Sequence, residues 1–167
     1  MDAKTQPTAT SAPVNCAAIL VRRARAADMA QIIALDKRVT GLAKPDYWRA
    51  AFSHYAGEPR PDRSFLVAES PRAKPGRSIL GFIIGEIRAW EFGSAPCGWI
   101  LALSVEAGAR LHGVGQALFD AISLEFTQAG INTVRTMVAR GNRLHLMFFR
   151  SQGMMAGPYL QLEKEFD

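Results

Sequence analysis

The sequence predicts one mixed α/β domain, in which helices cover the faces of a single β-sheet. Short apolar runs of strand length alternate with longer segments whose apolar residues recur at helical spacing. Their order is strand, two helices, three strands, helix, strand, helix and strand, which is typical of a mixed sheet with helices on its faces. With 167 residues, of which 49% are hydrophobic, the chain is long enough for one core and too short to predict two.

The first residues differ in composition from the rest. Residues 1–15 are rich in Thr, Ala, Pro and Gln and contain almost no large apolar side chain. Such a segment cannot bury enough surface to offset the entropy of ordering. We therefore expect a flexible tail at residues 1–15, without the apolar run of a secretory signal, and a single domain at residues 16–167.

The first strand and helix are predicted between residues 19 and 41. Ile19–Arg23 runs from apolar to basic residues, and Asp28 can then cap a helix, with Gln31 completing a capping box. Gly41 stands where a left-handed C-terminal cap would lie. The apolar face of this helix is Ile32, Leu35 and Val39.

A second helix is predicted from Pro45 to Gly57. Its aromatic side chains recur at helical spacing, as expected for a face packed on the core. The same spacing leaves a second interpretation open, in which part of the stripe lines a substrate site. The candidates for that site are Tyr47, Trp48 and Tyr55.

Three strands follow. Phe65–Ala68 and Ile79–Ile87 are separated by a turn at residues 71–76 and should form a hairpin. Trp99–Val105 is almost continuously apolar, which predicts burial on both faces of the sheet. Cys97 lies in a Pro-Cys-Gly turn before this strand and is interpreted as a loop residue.

The last third of the chain predicts two helices and two strands. A helix spans Gly115–Ala129, with Leu118, Ile122 and Phe126 at helical spacing, and a strand follows at Thr133–Val138. Asn142 is a good cap for the final helix, which ends at Gly153. Its predicted apolar face is Leu144, Met147 and Phe148. Tyr159–Phe166 alternates as a closing strand.

A glycine-rich turn between the strand that ends at Val105 and the next helix predicts an anion-binding site. In Arg110–Gly115, two glycines two residues apart let successive N–H groups turn toward one point, and the helix start adds partial positive charge. Arg110 and His112 could add donors to a phosphate. The alternative is that the glycines only make a tight connection.

This turn resembles the acyl-CoA signature of the GNAT superfamily, R/Q-x-x-G-x-G/A after a central strand. Residues 21–28 are similar to the family's first strand and helix cap, and residues 142–154 to its stretch N-x-x-A-x-x-F/L-Y-x-x-x-G-F. The resemblance covers about residues 19–166. It implies an α/β fold of GNAT type: a mixed, mostly antiparallel central sheet with helices on both faces, splayed between the fourth and fifth strands.

The resemblance also implies a cofactor, a reaction and the residues that bind the cofactor. The cofactor would be acetyl-CoA or another acyl-CoA, and the reaction would transfer an acetyl or other short acyl group to a primary amine of a small molecule or protein. The pantetheine arm would lie along Leu103, Ser104 and Val105, near Asn142 and Phe149. The pyrophosphate would be held by Arg110, Leu111, His112, Gly113, Val114, Gly115 and Gln116.

The catalytic groups of many GNAT relatives are missing. Their tyrosine, which protonates the departing thiolate, corresponds to Phe149, and the glutamate base of the ribosomal-protein alanine acetyltransferases corresponds to Met137. Glu86, Glu91 and His145 remain as candidate bases, each of which could equally be a surface residue. Otherwise, an amine that is already deprotonated reacts without a protein base, or the domain binds acyl-CoA as a sensor without turnover.

Composition limits the other classes of function. The net charge of +5 is scattered, without the basic stripe and aromatics of a nucleic-acid site. Cys16 and Cys97 lack the spacing of a zinc site or disulfide framework, which favours a reducing cytoplasm. No apolar run is long enough to cross a membrane. Homodimers are common in such folds, and the sequence does not specify one.

Overall fold

The computed structural model describes residues 19–58, 60–70 and 78–166. The strands in this part of the chain are β1 (Leu20–Arg23), β2 (Arg63–Glu69), β3 (Ile79–Arg88), β4 (Cys97–Val105) and β5 (Val134–Thr136). The α-helices are α1 (Met29–Thr40), α2 (Pro45–Tyr55), α3 (Val114–Gln128) and α4 (Arg143–Ser151). The predicted flexible tail at residues 1–15 and the turn at residues 71–76 lie outside the described residues.

The strands form one sheet in the order β1-β2-β3-β4-β5. Neighbouring strands are antiparallel, except that β4 and β5 run parallel. The predicted hairpin of β2 and β3 is confirmed. The sheet is splayed as expected, because β5 pairs only with Gly98, Trp99 and Ile100 of β4. Within the described part of the chain, residues 101–105 have no strand partner on that side.

A bulge at Leu101 changes which residues of β4 face each side of the sheet. Ile84 of β3 pairs with Ala102 and the next residue, Gly85, pairs with Ile100, so Leu101 is an extra residue in the ladder. A bulge of this kind shifts the alternation of side chains by one. As a consequence, Ile100 and Leu103 belong to the same core although they stand three residues apart.

Two hydrophobic cores lie on opposite faces of the sheet. On one face α3 and α4 pack through Leu118, Ile122, Phe126 and Phe149 against strand residues such as Ile83. On the other face α1 and α2 pack through Ile32, Leu35 and Trp48 against Phe65 and Phe82. The strand-period alternation of β2 and β3 therefore supplies both cores, as expected for helices on both faces.

The helix α1 begins differently from the prediction, although it ends at Gly41 with a left-handed φ of 77° as expected. The prediction of a capping box formed by Asp28 and Gln31 is wrong, because the Asp28 side chain makes no cap hydrogen bond to α1. The Asp28 carboxylate instead accepts hydrogen bonds from the Arg22 guanidinium at 2.7 and 2.9 Å and from the Arg25 backbone N–H at 2.8 Å. Gln31 accepts the Ile79 backbone N–H, at 3.2 Å, and so connects α1 to β3.

The predicted closing strand at Tyr159–Phe166 is absent, and β5 is shorter than the predicted Thr133–Val138. Leu160, Leu162 and Phe166 are 78%, 86% and 84% exposed, so no strand or core receives the alternating apolar face of this segment. Alternation alone cannot supply the partner that a strand needs for its backbone hydrogen bonds.

Two smaller predictions are also wrong. Cys97 is the first residue of β4 and is buried, because the strand begins two residues earlier than its apolar run suggests. In α4, Leu144 and Met147 are exposed, and the buried face is formed by Phe149 with the half-buried Phe148. Adjacent phenylalanines shift the core-facing side of this short helix by one position.

Candidate active site

A cavity of about 310 Å³ lies where β4 separates from β5. Its base is formed by residues 100–104 of β4, with Thr136 and Met137 at the end of β5. One side is formed by His145 and Phe149 of α4. The opposite side is formed by Asp36, Lys44, Tyr47 and Trp48, from α1, α2 and the residues between them.

The open edge of β4 lies at the base of this cavity. Leu103 and Ser104 line it, while Val105 lies at the end of the strand, where its carbonyl oxygen accepts the Arg110 Nε–H at 3.3 Å. Because residues 101–105 have no strand partner on the β5 side, alternate backbone groups there can pair with a ligand. The Arg110 contact connects this edge to the glycine-rich turn.

The turn from Arg110 to Gly115 has the backbone of an anion-binding loop. Leu111 and Gly113 have φ angles of 64° and 79°, in the left-handed region, and Gly113 is the residue that precedes the helix α3. The Leu111 side chain is fully exposed, and a Cβ at Gly113 would meet no atom within 4 Å. The turn before this 15-residue helix therefore has space around it for a phosphate, and the first N–H groups of a helix need partners from outside the helix.

The helix α4 packs directly on this turn. A Cβ at Gly115 would lie 3.1 Å from Cε2 of Phe148, so the two helices approach each other closely at this glycine. Gln152 Nε2 also donates to Gln116 Oε1 at 2.8 Å. The position of the cavity wall formed by α4 is thus coupled to the position of the glycine turn.

Asn142 caps α4 and fixes the protonation of His145. Asn142 Oδ1 accepts the His145 backbone N–H at 3.2 Å, which leaves its Nδ2 3.1 Å from His145 Nδ1. An amide nitrogen can only donate, so His145 Nδ1 accepts and the neutral ring carries its proton on Nε2. Burial, followed by the positive charge of Arg110, lowers the pKa of His145, which favours the same neutral form.

Comparison with known proteins agrees with this arrangement. The model of the acetyltransferase (GNAT) family matches residues 28–154, which include the cavity walls, the glycine turn and α4. The chain belongs to the GNAT family. It is accordingly an acyl-CoA-dependent N-acetyltransferase with acyl-CoA as cosubstrate, as the sequence predicted.

Solved structures with the same fold include several acetyltransferases. Aminoglycoside N-acetyltransferase AAC(6')-Iy in complex with CoA has a TM-score of 0.74 at 15% identity, over 88% of this chain and 94% of that one. Glucosamine-6-phosphate N-acetyltransferase from Arabidopsis thaliana has a TM-score of 0.66 at 18% identity, over 89% and 99%. An aminoglycoside acetyltransferase from an uncultured soil metagenomic sample, in complex with trehalose, has a TM-score of 0.67 at 18% identity, over 89% and 97%.

Three negative findings accompany these matches. No curated protein matches the chain in sequence. Within residues 19–58, 60–70 and 78–166, no helix combines the length and apolar character needed to cross a membrane, and no group of three His, Cys, Asp or Glu side chains could hold a metal ion.

Phe149 and Met137, which correspond by sequence resemblance to catalytic groups of some GNAT relatives, both line the cavity. Phe149 is 5% exposed and packs with His145 and Phe148, at ring-centroid distances of 6.2 and 5.3 Å. Met137 follows the end of β5 and is 61% exposed. Neither side chain can donate or accept a proton at the reacting atoms.

The candidate bases Glu86, Glu91 and His145 are not brought together. Only His145 lines the cavity. Glu86, near the end of β3, accepts the Arg88 Nε–H at 2.7 Å, and Glu91 lies 3.5 Å from another nitrogen of Arg88. Because Glu86 and Glu91 neutralise Arg88 away from the cavity, their catalytic role stays a sequence-based prediction.

Two of the three aromatic residues predicted to bind the acceptor line the cavity, and the third does not. Tyr47 and Trp48 line the cavity, with Tyr47 58% exposed and Trp48 buried in the α1–α2 core. Tyr55, at the far end of α2, lies in a separate smaller pocket with Arg23 and Glu58. Burial and the nearby Glu86 carboxylate raise the pKa of Tyr55.

Asp36 is a cavity residue that sequence reasoning missed. It is 4% exposed, lines the cavity and accepts the Trp48 indole N–H at 2.8 Å. A readable signal was present, because Asp36 follows the buried Ile32 by four residues and so lies on the apolar face of α1. A carboxylate at such a position needs a specific partner.

Proposed function

We propose that this domain transfers an acetyl or other short acyl group from acyl-CoA to a primary amine, by direct attack in a ternary complex. One observation carries the proposal. The open edge of β4 forms the base of a cavity and ends beside the glycine turn, with which it shares the Arg110 to Val105 contact. A thioester bound along that edge would enter the cavity while its phosphates reached the start of α3.

We assign the cofactor to the residues that the sequence predicted for it. Leu103, Ser104 and Val105 would offer backbone groups to the pantetheine arm, with Phe149 on the α4 side of the cavity and Asn142 at the cap of α4. The residues that would hold the pyrophosphate are Arg110, Leu111, His112, Gly113, Val114, Gly115 and Gln116. When bound, acyl-CoA supplies an activated carbonyl and a thiolate leaving group.

The reaction needs little from the protein beyond orientation. The amine nitrogen attacks the thioester carbonyl carbon, the C–S bond breaks and CoA leaves as a thiolate, while the new amide nitrogen releases a proton. Holding the two reactants together removes most of the entropic barrier. A thiol has an ordinary pKa of about 8.5, so the thiolate can leave without a protein acid.

His145 serves this reaction better as a hydrogen-bond donor than as a base. Its Nδ1 already accepts from Asn142, and its Nε2 carries the proton, so neither ring nitrogen is free to take a proton from the amine. This geometry favours attack by an amine that is already deprotonated, one of the routes considered from the sequence. The Nε2–H group can instead orient a cofactor oxygen.

Calorimetric titration of the purified protein with acetyl-CoA, free CoA and ATP is the first test. We expect saturable binding that prefers the CoA compounds, followed by release of free CoA when primary amines are added. No binding of any CoA species would overturn the proposed site. Binding without CoA release by any amine would favour the alternative, a catalytically weak acyl-CoA-binding sensor.

We further propose a cytoplasmic location and a homodimer. Cys97 is a buried free thiol, as a reducing compartment would keep it. Leu160, Leu162 and Phe166, exposed near the end of the described chain, supply apolar area that a second copy could cover. Light scattering of the eluted protein should give twice the monomer mass of 18.2 kDa, and a monomer at micromolar concentration would rule out a stable dimer.

A further inference from the structure

The wall of the cavity opposite α4 contains a carboxylate that is nearly inaccessible to solvent. The Asp36 side chain is 5% exposed, and the Trp48 indole N–H donates to its Oδ2 at 2.8 Å. Burying a carboxylate is costly unless cationic or hydrogen-bonding groups compensate it. The Trp48 indole N–H is a neutral donor, so most of the negative charge of Asp36 has to be balanced by a cation.

That cation is an ammonium group within the cavity itself. Lys44 Nζ lies 3.1 Å from Asp36 Oδ2 and 3.4 Å from Oδ1. It also lies 5.8 and 6.0 Å from the ring centroids of Tyr47 and Trp48, whose planes meet at 79°. A carboxylate beside two aromatic faces is the combination that recognises organic ammonium ions.

Lys44 is the more accessible partner of this ion pair. Its side chain is 36% exposed, whereas that of Asp36 is 5% exposed. The Lys44 backbone is fixed at the start of α2, where its carbonyl oxygen accepts the Trp48 N–H at 3.1 Å, so only the side chain has to move. A tethered group of this kind competes with a free ligand at an effective concentration on the order of millimolar. A soluble amine can therefore exchange with Lys44, because the same partners fit both ammonium groups.

We propose that Asp36, Tyr47 and Trp48 form an ammonium subsite for the acceptor, and that Lys44 occupies it as an internal competitor until the acceptor binds. The inference rests on the proposed function, since it names the acceptor class of the same cavity: primary alkylamines, which bind as ammonium ions and lose a proton to solvent before the free amine attacks. Small aliphatic amines and lysine side chains share this chemistry.

Binding of n-butylamine, with 1-butanol as the uncharged analogue, tests the subsite without acyl-CoA. Lys44→Met removes the competing charge and keeps the length of the side chain. We expect it to bind n-butylamine about tenfold more tightly than the wild-type protein, because the ligand no longer displaces a tethered ammonium. Lys37→Met, which removes an exposed lysine from the same region, should bind like the wild type.

Asp36→Asn should lose the preference for n-butylamine over 1-butanol, and its retained affinity for CoA would show that the domain is still folded. Equal or weaker amine binding by Lys44→Met, or an unchanged preference in Asp36→Asn, would overturn the subsite. If Nα-acetyl-lysine amide binds more tightly than n-butylamine, the acceptor is a lysine side chain.

Failure of the subsite and failure of the proposed function give different results. If the protein releases CoA from acetyl-CoA but Lys44→Met leaves the amine affinity unchanged, the proposed subsite is wrong and the proposed transferase activity stands. If Lys44→Met binds the amine more tightly but the protein binds no CoA compound, the subsite stands and the proposed transferase activity is wrong.

Discussion

Phe149 determines which proton transfers the cavity can support. Its ring lines the cavity beside His145 and has no acidic hydrogen where many relatives have a tyrosine hydroxyl. His145 Nδ1 accepts from Asn142 Nδ2, so this side chain is poorly placed to act as a base. At the level of single residues, we therefore expect this site to act by orienting the reactants, with little general acid–base catalysis.

Phe149→Tyr tests that view. Adding a hydroxyl beside the leaving thiolate should raise the rate of CoA release about tenfold or more, since a well-placed general acid contributes about 10² to 10⁴ in many enzymes. The affinity for acetyl-CoA should stay unchanged. Release of CoA is followed with a thiol reagent at saturating acetyl-CoA and amine.

Phe52→Tyr is the matched control, because it adds the same hydroxyl to a half-buried ring of α2 that does not line the cavity. It should leave the rate unchanged. A large loss of acetyl-CoA affinity in Phe149→Tyr would show that this ring packs against the cofactor.

Sequence reasoning found some of these residues and missed others for a physical reason. Phe149 and Met137 could be identified because they stand at fixed distances from Asn142. Asp36 was missed because its importance comes from contacts with Trp48 and Lys44, which are 12 and 8 residues away and meet it only after α1 and α2 have packed. A side chain in the apolar stripe of a helix marks burial, and its partner is not local.

At the level of structural elements, the shape of the glycine turn before α3 depends on the backbone conformation of a single residue, Gly113. Gly113 adopts a φ of 79° just before the helix, while Gly108 has an ordinary φ, and a Cβ at either would meet no atom within 4 Å. The two glycines therefore differ in conformation and not in available space.

Gly113→Ala should weaken acetyl-CoA binding at least tenfold. A side chain in the left-handed region costs about 1 to 2 kcal/mol, which favours turning the N–H groups away from the phosphates. Gly108→Ala should bind acetyl-CoA like the wild-type protein. Calorimetry of both variants measures the difference, and equal affinities would mean that the φ angle of Gly113 is unimportant for the cofactor.

Predictions of helices, strands and turns were correct where the structure of a segment depends on its own residues. The turn, the Pro45 start of α2 and the Asn142 cap of α4 depend on nearby residues and were correctly predicted. The closing strand at Tyr159–Phe166 failed because a strand needs a neighbour, and the alternating pattern does not say whether one is present. The bulge at Leu101 was invisible for the same reason, since it exists only relative to β3.

For the whole molecule, the Arg22 guanidinium connects three elements. It donates to Asp28 at the start of α1 and to Glu69 of β2, at 2.7 to 2.9 Å. Burial acts to raise the pKa of Asp28, but hydrogen bonds from Arg22 and the Arg25 N–H outweigh it and lower the pKa below its ordinary 3.8. This network holds the edge strand β1 and the first helix to the sheet.

Asp28→Asn should lower the free energy of unfolding by about 2 kcal/mol at pH 7, because it removes one partner of a largely buried ion pair. A group with a lowered native pKa stabilises fully above its unfolded pKa and loses the effect as the pH falls through the native value. The difference from wild type should thus be constant between about pH 5 and 8 and shrink below about pH 4.

Urea unfolding across this pH range measures the effect. Asp46→Asn, which breaks an exposed pair with Arg49, should be indistinguishable from wild type. A difference between wild type and Asp28→Asn that grows on acidification would contradict the assigned network.

The unpaired edge of β4 affects how readily the protein aggregates in a cell. An open strand edge is a template on which other extended chains can add, and neighbouring residues such as Leu101 are apolar and accessible. A cosubstrate bound as proposed would cover that edge and would also shift the folding equilibrium toward the native state. The abundance of the protein should therefore follow the supply of acyl-CoA, with starved cells losing it to aggregation and proteolysis first.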